Sequence, residues 1–350
     1  MVKPLNLFET DLYDYSLPEE LIAQNPADPR DSSRLLVLSR QGGGITHSVF
    51  SSLGEFLKEG DLLVLNDTRV IPARLFGRKV PGGGRAEILL LKALDSGFSK
   101  WEALVRPGRK IPPGTRISLE DGTEVLAGRR LDEGVRVVSF PAGIDVLPLL
   151  ERIGETPLPP YITRSSAPGS SYQTVFAKND GSSAAPTASL HFTESLLERL
   201  QTERGVRTAR LTLHVGLGTF RPVKCADLRA HRIHEEFCAL PENTRDIIVK
   251  TKAAGGRVIA AGTTSARTLE SFAREDGALD WGEKTTGLYI YPGYKFKVID
   301  GLITNFHLPK SSLLMMTAAF AGYGPLMAAY KEAIAMKYRF FSFGDAMFVT

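Results

Sequence analysis

Cysteine is almost absent: the 350 residues contain two, Cys225 and Cys238, with no CxxC pair. That excludes a disulfide framework and a cysteine-rich metal site, and leaves both as small core residues suited to a reducing compartment. The opening stretch MVKPLNLFETD has no basic region followed by an apolar run, so no signal peptide is expected. Charge of one sign is missing as well, since a net +4 is too small to imply a nucleic-acid partner by itself. An unbroken membrane span is also lacking. Residues 311–330 form an uncharged run of 20 residues, long enough for a span. However, Gly322-Tyr323-Gly324-Pro325 interrupts it, and Ser311, Ser312 and Thr317 dilute it. Pro325 suits the first turn of a new helix. The run therefore predicts two short buried helices joined at a turn, and no membrane partner.

What is present is an ordinary globular composition, 43% hydrophobic and 23% charged, able to build a core without a staple. Its charge is unevenly placed. Residues 69–116 hold eleven Lys/Arg against three acids (Glu87, Asp95, Glu102), a local excess of +8 that the rest of the chain offsets with −4. Such an excess attracts phosphate where a chain-wide average would hide it, and Arg106, Arg109 and Lys110 are its candidate RNA contacts.

The first 67 residues mix helix and strand. Ser16-Leu17-Pro18-Glu19 and Ser52 with Glu55 each read as the opening of a short helix, and 34–38 and 61–65 read as strands. From 68 to 140, turn signals at 81–84, 107–108, 113–114, 121–122 and 133–134 separate short strands, which predicts a small barrel or sandwich. Further on, strands at 211–215, 257–261, 287–291 and 341–349 accompany helices at 243–254 and 265–274. The expected architecture is an α/β major domain (1–67 and 152–350), a mixed sheet with helical cover, into which an all-β barrel-like minor domain (68–151) is inserted.

Five of the six histidines, His191, His214, His231, His234 and His307, sit in polar, Gly-rich or Pro-rich surroundings. A lone histidine is usually a surface or hydrogen-bonded core residue. His214 departs from that default because a strand runs through it into Gly216-Leu217-Gly218-Thr219, where glycines permit close ligand approach. His231-x-x-His234-x-Glu236 imitates a metal site, but neither strand nor helix periodicity brings all three side chains together. No metal is expected there, and acid–base work by a histidine with Glu236 fits better. Gly262-Thr263-Thr264-Ser265 follows a strand and opens a helix, so it can cap that helix or bind an anion. Gly216 and Gly218 fail the dinucleotide fingerprint, because Arg221 stands at the third glycine and no helix follows. The aromatic clusters at 289–294 and 338–343 are core by default, with a minority available to stack a purine or face a cation.

These motifs resemble the S-adenosylmethionine:tRNA ribosyltransferase-isomerase family of queuosine biosynthesis over essentially the whole length. The resemblance is carried by SRLLVL (33–38), GDLLVLNDTRVIPARL (60–75), PLPPYI (157–162), YQTVFA (172–177) and AAPTASLHFT (184–193). It continues through TLHVGLGTFRPV (212–223), HRIHEE (231–236), GTTSARTLE (262–270), YPGYKFKVIDGLITNFHLPKSSL (291–313) and YRFFSFGDAMF (338–348). Ser189 stands where the family usually has glycine, a substitution that would strain a backbone with positive φ.

The resemblance implies a reaction on tRNA with a GUN anticodon whose wobble base is 7-aminomethyl-7-deazaguanine (preQ1). The ribosyl carbons of S-adenosylmethionine move onto the aminomethyl group and rearrange to epoxyqueuosine, while adenine and methionine leave. S-adenosylmethionine is then a consumed substrate, and no cofactor or metal is required. The expected setting is a cytoplasmic monomer. Within this reading His214 and His234 are the acid–base candidates, with Glu236 orienting one of them. Gly216, Gly218, Thr219, Thr264, Ser265, Tyr291, His307 and Asp345 are the substrate-binding candidates. The competing readings are a non-catalytic RNA-binding module, which needs only the basic β domain, and a methyltransferase, for which the failed glycine fingerprint is unfavourable.

Overall fold

The LLVLN run at Leu62–Asn66 has five consecutive buried residues, the pattern of a strand covered on both faces. In the computed structural model, which describes residues 5–216 and 222–350, that strand lies inside a large mixed sheet. In chain order the strands are β1 (Arg34–Leu38), β2 (Ile45–Val49), β3 (Leu62–Asn66), β4 (Thr68–Val70), β5 (Arg74–Val80), β6 (Arg85–Ala93), β7 (Lys100–Arg106), β8 (Thr115–Leu119) and β9 (Glu124–Arg130). They continue as β10 (Val135–Ser139), β11 (Asn179–Ser182), β12 (Arg207–Leu213), β13 (Glu236–Leu240), β14 (Val258–Ala261), β15 (Gly282–Thr286), β16 (Gly301–Asn305) and β17 (Ala346–Val349). The α-helices are α1 (Val146–Ile153), α2 (Glu194–Arg204), α3 (Glu242–Ala253), α4 (Thr263–Phe272), α5 (Ser312–Ala321) and α6 (Tyr323–Ala335).

Nine strands form the main sheet in the order β15-β13-β12-β3-β14-β16-β17-β1-β2. β12, β3, β14 and β16 are mutually parallel, and antiparallel pairs border them on both sides. Alternate residues of these strands feed two cores. Leu62, Val64, Ala260 and Leu302 pack with Leu269, Leu314 and Met315 of α4 and α5. Leu63, Leu65, Ile259 and Ile303 pack with Phe50, Phe192, Leu196 and Leu200 on the other face.

The second sheet is a closed barrel, β10-β7-β6-β5-β8-β9, filled by Ile88, Leu90, Trp101, Val105, Ile117, Val125 and Val138. Its core also takes Ile71 and Ala73 before the first barrel strand, and Val146, Leu149 and Leu150 of α1 after the last. β4 lies outside the barrel and pairs in parallel with β11.

Barrel pairing is antiparallel throughout. The last residues of β5, β7 and β9 therefore meet the first residues of β6, β8 and β10 at the end away from the chain's entry and exit. Arg78, Arg85, Arg106, Arg109, Lys110, Arg129 and Arg130 gather there, all exposed. Behind them Arg136, 2% exposed, donates from Nη1 to the Ile111 carbonyl at 2.8 Å and from Nη2 to the Gly108 carbonyl at 3.2 Å. A buried guanidinium thus braces the loop that carries Arg109 and Lys110.

The uncharged run forms α5 and α6, bent by 117° at Gly322, and no single described helix is long and apolar enough to cross a membrane. Local expectations fail where partners outside the segment decide. The two early helices are 3-10 turns, Glu19–Leu21 and Phe50–Glu55, neither with a side-chain cap. The strand expected at 287–291 is irregular. β15 precedes it, and the Leu288 carbonyl accepts instead from Arg267 Nε at 2.9 Å. The strand expected at 341–349 is confined to β17. Ser189 lies in a 3-10 turn (Thr187–Ser189), is not among the residues with positive φ, and donates its hydroxyl to the Ala261 carbonyl at 3.3 Å. The anticipated strain is therefore absent.

Candidate active site

Parallel strands deliver their carboxyl ends to one edge, and ligands of α/β sheets bind in the crevice beyond it. Here β14 passes directly into α4 through Gly262, whose φ of +99° suits glycine. The first amides of α4 are thereby turned toward the crevice together with the hydroxyl-bearing Thr263 and Thr264. The Thr264 hydroxyl is shielded from solvent and has no hydrogen-bond partner among the described residues. Ser265 behaves differently: fully buried, it donates back to the Ala261 carbonyl at 3.0 Å and stabilises the turn instead of facing a ligand.

The crevice has two adjoining parts. One is lined by Ala185, Pro186, Val215, Gly262, Thr304, Asn305 and His307, the other by Ile233, Glu236, Arg267, Tyr289, Ser312 and Met316. Thr263, Thr264 and Leu313 belong to both. Ser311 caps α5 by accepting from the Leu314 amide at 3.2 Å, so a second helix begins beside the first. His307 is buried, with Nε2 3.1 Å from the Thr304 hydroxyl and Nδ1 3.3 Å from the Thr317 hydroxyl. Burial lowers its pKa to about 3, so its ring is neutral.

At the floor of the second part lies a buried ion pair, Glu236 with Arg267, 5% and 4% exposed. The other oxygen of Glu236 accepts from the Gly216 amide at 2.7 Å. Arg267 Nε donates to the Leu288 carbonyl at 2.9 Å, and Nη2 to the carbonyls of Thr286 at 2.9 Å and His234 at 3.1 Å.

His214 sits at the end of β12, two strand spacings or roughly 10 Å along the edge from the start of α4. Its Nδ1 is 2.8 Å from the Thr68 hydroxyl, and its ring stacks on Phe237 at 5.2 Å between centroids. Gly181 leaves room for the ring, since a Cβ there would lie 2.8 Å from Nε2. Burial lowers the His214 pKa to about 4, with the Asp67 carboxylate opposing. Asp67 itself accepts from Thr212 at 2.7 Å and Asn179 at 3.0 Å. Glu236 and Phe237 are neighbours on β13 and point to opposite faces. His214 therefore lies across the sheet from Glu236, which does not orient it.

The remaining expected residues are scattered over the molecule. His234 is exposed on the segment entering β13, beside Ile233 of the crevice. Tyr291 packs against Tyr289 at 5.1 Å, but it is Tyr289 that lines the crevice. Asp345 is 1% exposed and its carboxylate is held by Arg34 at 3.2 Å and Arg339 at 2.9 Å, so it is a strut between β1 and β17 and not a counter-ion for a ligand. Gly216 borders the site through Glu236, whereas Gly218 and Thr219 lie outside the described residues. Arg106, Arg109 and Lys110 are on the far end of the barrel. Among the described residues no three His, Cys, Asp or Glu side chains converge to hold a metal ion.

Sequence reasoning missed Arg267, Tyr289, Thr68 and Asp67. Arg267 follows the hydroxyls of Thr263 and Thr264 by four and three residues and so shares their α4 face, a signal available in GTTSARTLE. Nothing in the local pattern marked Thr68 or Asp67.

An α/β sheet whose carboxyl edge carries two helix N-termini, hydroxyls, an aromatic wall and a neutral histidine defines an enzyme for a small polar organic ligand. The chain belongs to the queuosine biosynthesis protein family, whose pattern it matches over residues 10–349. It is 54% identical over 338 residues to the S-adenosylmethionine:tRNA ribosyltransferase-isomerase of Halothermothrix orenii, covering 96% of this chain and 98% of that relative. The protein of the same name from Pelotomaculum thermopropionicum is 53% identical over 340 residues, with the same coverage. The crystal structure of S-adenosylmethionine tRNA ribosyltransferase from Thermotoga maritima matches with a TM-score of 0.56 at 40% identity, over 97% of this chain and all of that one.

The buried histidines have a consequence for acid stability. Burial lowers His191 and His214 to about 4 and His307 to about 3, from an ordinary 6.5. Above pH 6.5 these groups are neutral whether folded or unfolded, and they add no pH dependence. As the pH falls from 6.5 toward 4, the unfolded chain takes up protons that the native rings refuse, so stability drops. Urea unfolding at pH 5 should give a free energy lower by roughly 2 kcal/mol or more than at pH 7.5. An unchanged value would mean that these rings are solvated.

Proposed function

We propose that this chain is an S-adenosylmethionine:tRNA ribosyltransferase-isomerase acting on preQ1 in the wobble position of GUN anticodons. The observation that carries the reading is the crevice at the carboxyl edge, in a chain more than half identical to enzymes of that name. S-adenosylmethionine is the consumed substrate, and no further cofactor is required. Its methionine carboxylate is assigned to the α4 N-terminus with Thr263 and Thr264, where free amides and a partial positive charge favour an anion. Its adenine is assigned to the face of Tyr289, and neutral His307 adds no charge that would repel the sulfonium.

The sulfonium acidifies the C5′ protons, so a base begins the reaction. A neutral imidazole is a competent proton acceptor at physiological pH, and His214 is assigned that role, which requires the ribosyl end of the substrate to pass over the carboxyl edge to the face opposite Glu236; Thr68 holds its other nitrogen. Adenine needs a proton as it leaves, and exposed His234, beside the crevice, is assigned to supply it. Glu236 pairs with Arg267 and holds the backbone at Gly216. Ribosyl carbons pass to the amine of preQ1 and close to the epoxycyclopentane of epoxyqueuosine, releasing adenine and methionine. The enzyme is taken to act as a cytoplasmic monomer, with residues 68–151 as the RNA-facing insertion.

Incubation with S-adenosylmethionine and preQ1-bearing tRNA should release adenine and methionine in equal amounts. S-adenosylhomocysteine as the main product would replace this reading with a methyl transfer, and no turnover would favour a binding module. His214→Ala should lower turnover by roughly 10²–10⁴-fold, the usual worth of an acid–base group. A folded variant with wild-type turnover would make His214 structural.

For the RNA, the supporting observation is the cationic end of the barrel. Neutralising Arg106, Arg109 and Lys110 together should weaken tRNA affinity and flatten its salt dependence by about one unit of slope per lost phosphate contact. S-adenosylmethionine binding should be unaffected. Equal affinities and slopes for wild type and the triple variant would place the anticodon arm elsewhere.

A further inference from the structure

We infer that Arg267 is a positioning residue that sets the distance between the two ends of the ligand crevice, an inference resting on the placement of S-adenosylmethionine proposed above. Arg267 follows Thr263 and Thr264 by four and three residues, so all three side chains leave one face of α4, with Arg267 about 6 and about 4.5 Å along its axis from the two threonines. The two threonines mark the anion end. At the other end the planar fork of Arg267 grips the chain that leads into the aromatic wall. Nε and Nη2 donate to the carbonyls of Leu288 and Thr286, immediately before Tyr289, and Nη2 also reaches the His234 carbonyl. Nη1 meets Glu236, whose second oxygen holds the Gly216 amide.

Segment 287–290, which follows β15, is irregular and has no strand ladder of its own to hold the backbone beside Tyr289. The rigid helix supplies that hold through one side chain, so the ring stands at a spacing from Thr263 and Thr264 set by α4. Lysine cannot replace this grip: its single ammonium reaches fewer acceptors and lacks the fixed fork geometry. A residue that merely stabilised the core would alter unfolding without changing the affinity of the folded protein for either half of the ligand.

The test measures binding of S-adenosylmethionine, adenosine and methionine to full-length wild type, Arg267→Lys, Tyr289→Leu and the double variant by calorimetry, with thermal unfolding alongside. Arg267→Lys should weaken S-adenosylmethionine and adenosine by tenfold or more, and leave methionine and tRNA within threefold of wild type. Because Arg267 acts through Tyr289, the double variant should lose no more adenosine affinity than Tyr289→Leu alone, a coupling that independent residues would not show. Wild-type affinity in a folded Arg267→Lys, or additive losses in the double variant, would overturn the inference. If Arg267→Lys is too unstable to assay, Arg267→Gln enters the same cycle with the same outcomes. Failure of wild type itself to bind S-adenosylmethionine would instead defeat the placement on which the inference rests.

Discussion

Both faces of β3 are apolar, so hydrophobic patterning alone cannot tell one register from its one-residue slip. The polar residues at its two ends settle the choice. At the start, buried Asp61 pairs with Arg257 at 2.6 Å and accepts from the Lys58 amide at 2.8 Å. At the finish, Asn66 exchanges two 3.0 Å hydrogen bonds with the backbone of Leu213, the last residue of β12. A slip would leave a buried carboxylate and a buried amide unsatisfied, which costs more than any gain from repacked leucines. His214 and Gly216 follow that anchored strand end. The geometry of the crevice thus descends from an asparagine and an aspartate that do not line it.

The same logic explains why acids were hard to interpret. Glu236, Glu270 and Asp345 are all nearly inaccessible, and each binds a particular piece of backbone or an arginine. Glu270 accepts from the amides of Lys297, Val298 and Ile299, fastening the loop that leads into β16. A carboxylate in a striking motif looks chemical until its partner is known, and the partner is usually far away in sequence. Arg267 is 31 residues from Glu236, and Arg34 is 311 from Asp345.

Much of the fold was legible nonetheless. Gly/Pro turn signals marked the barrel because each required a sharp reversal, and the apolar RLLVL run marked β1 to the residue. The uncharged run resolved into α5 and α6 because its glycines and proline lie at one place. β4 and β11 were not foreseen: TRV is too short to read as a strand, NDGS is made of strand-poor residues, and they pair only because the folded chain brings them together. In the site, the threonines opening α4 were visible, whereas Tyr289 could not be separated from Tyr291 without the path of an irregular segment. The basic patch was underestimated, because Arg129 and Arg130 lie beyond the charged window and join it through barrel pairing.

The barrel enters and leaves through one doorway, where the chain at Arg74 and the chain at Glu155 lie antiparallel and exchange backbone hydrogen bonds of 3.1 and 2.8 Å. Its interruption of the sheet is therefore topologically silent: the ends it separates are already side by side. A module so placed is a cassette. It can be lengthened, trimmed or exchanged in the course of evolution without rethreading a strand of the sheet, so the cationic end of the barrel and the crevice of the sheet are free to diversify at different rates.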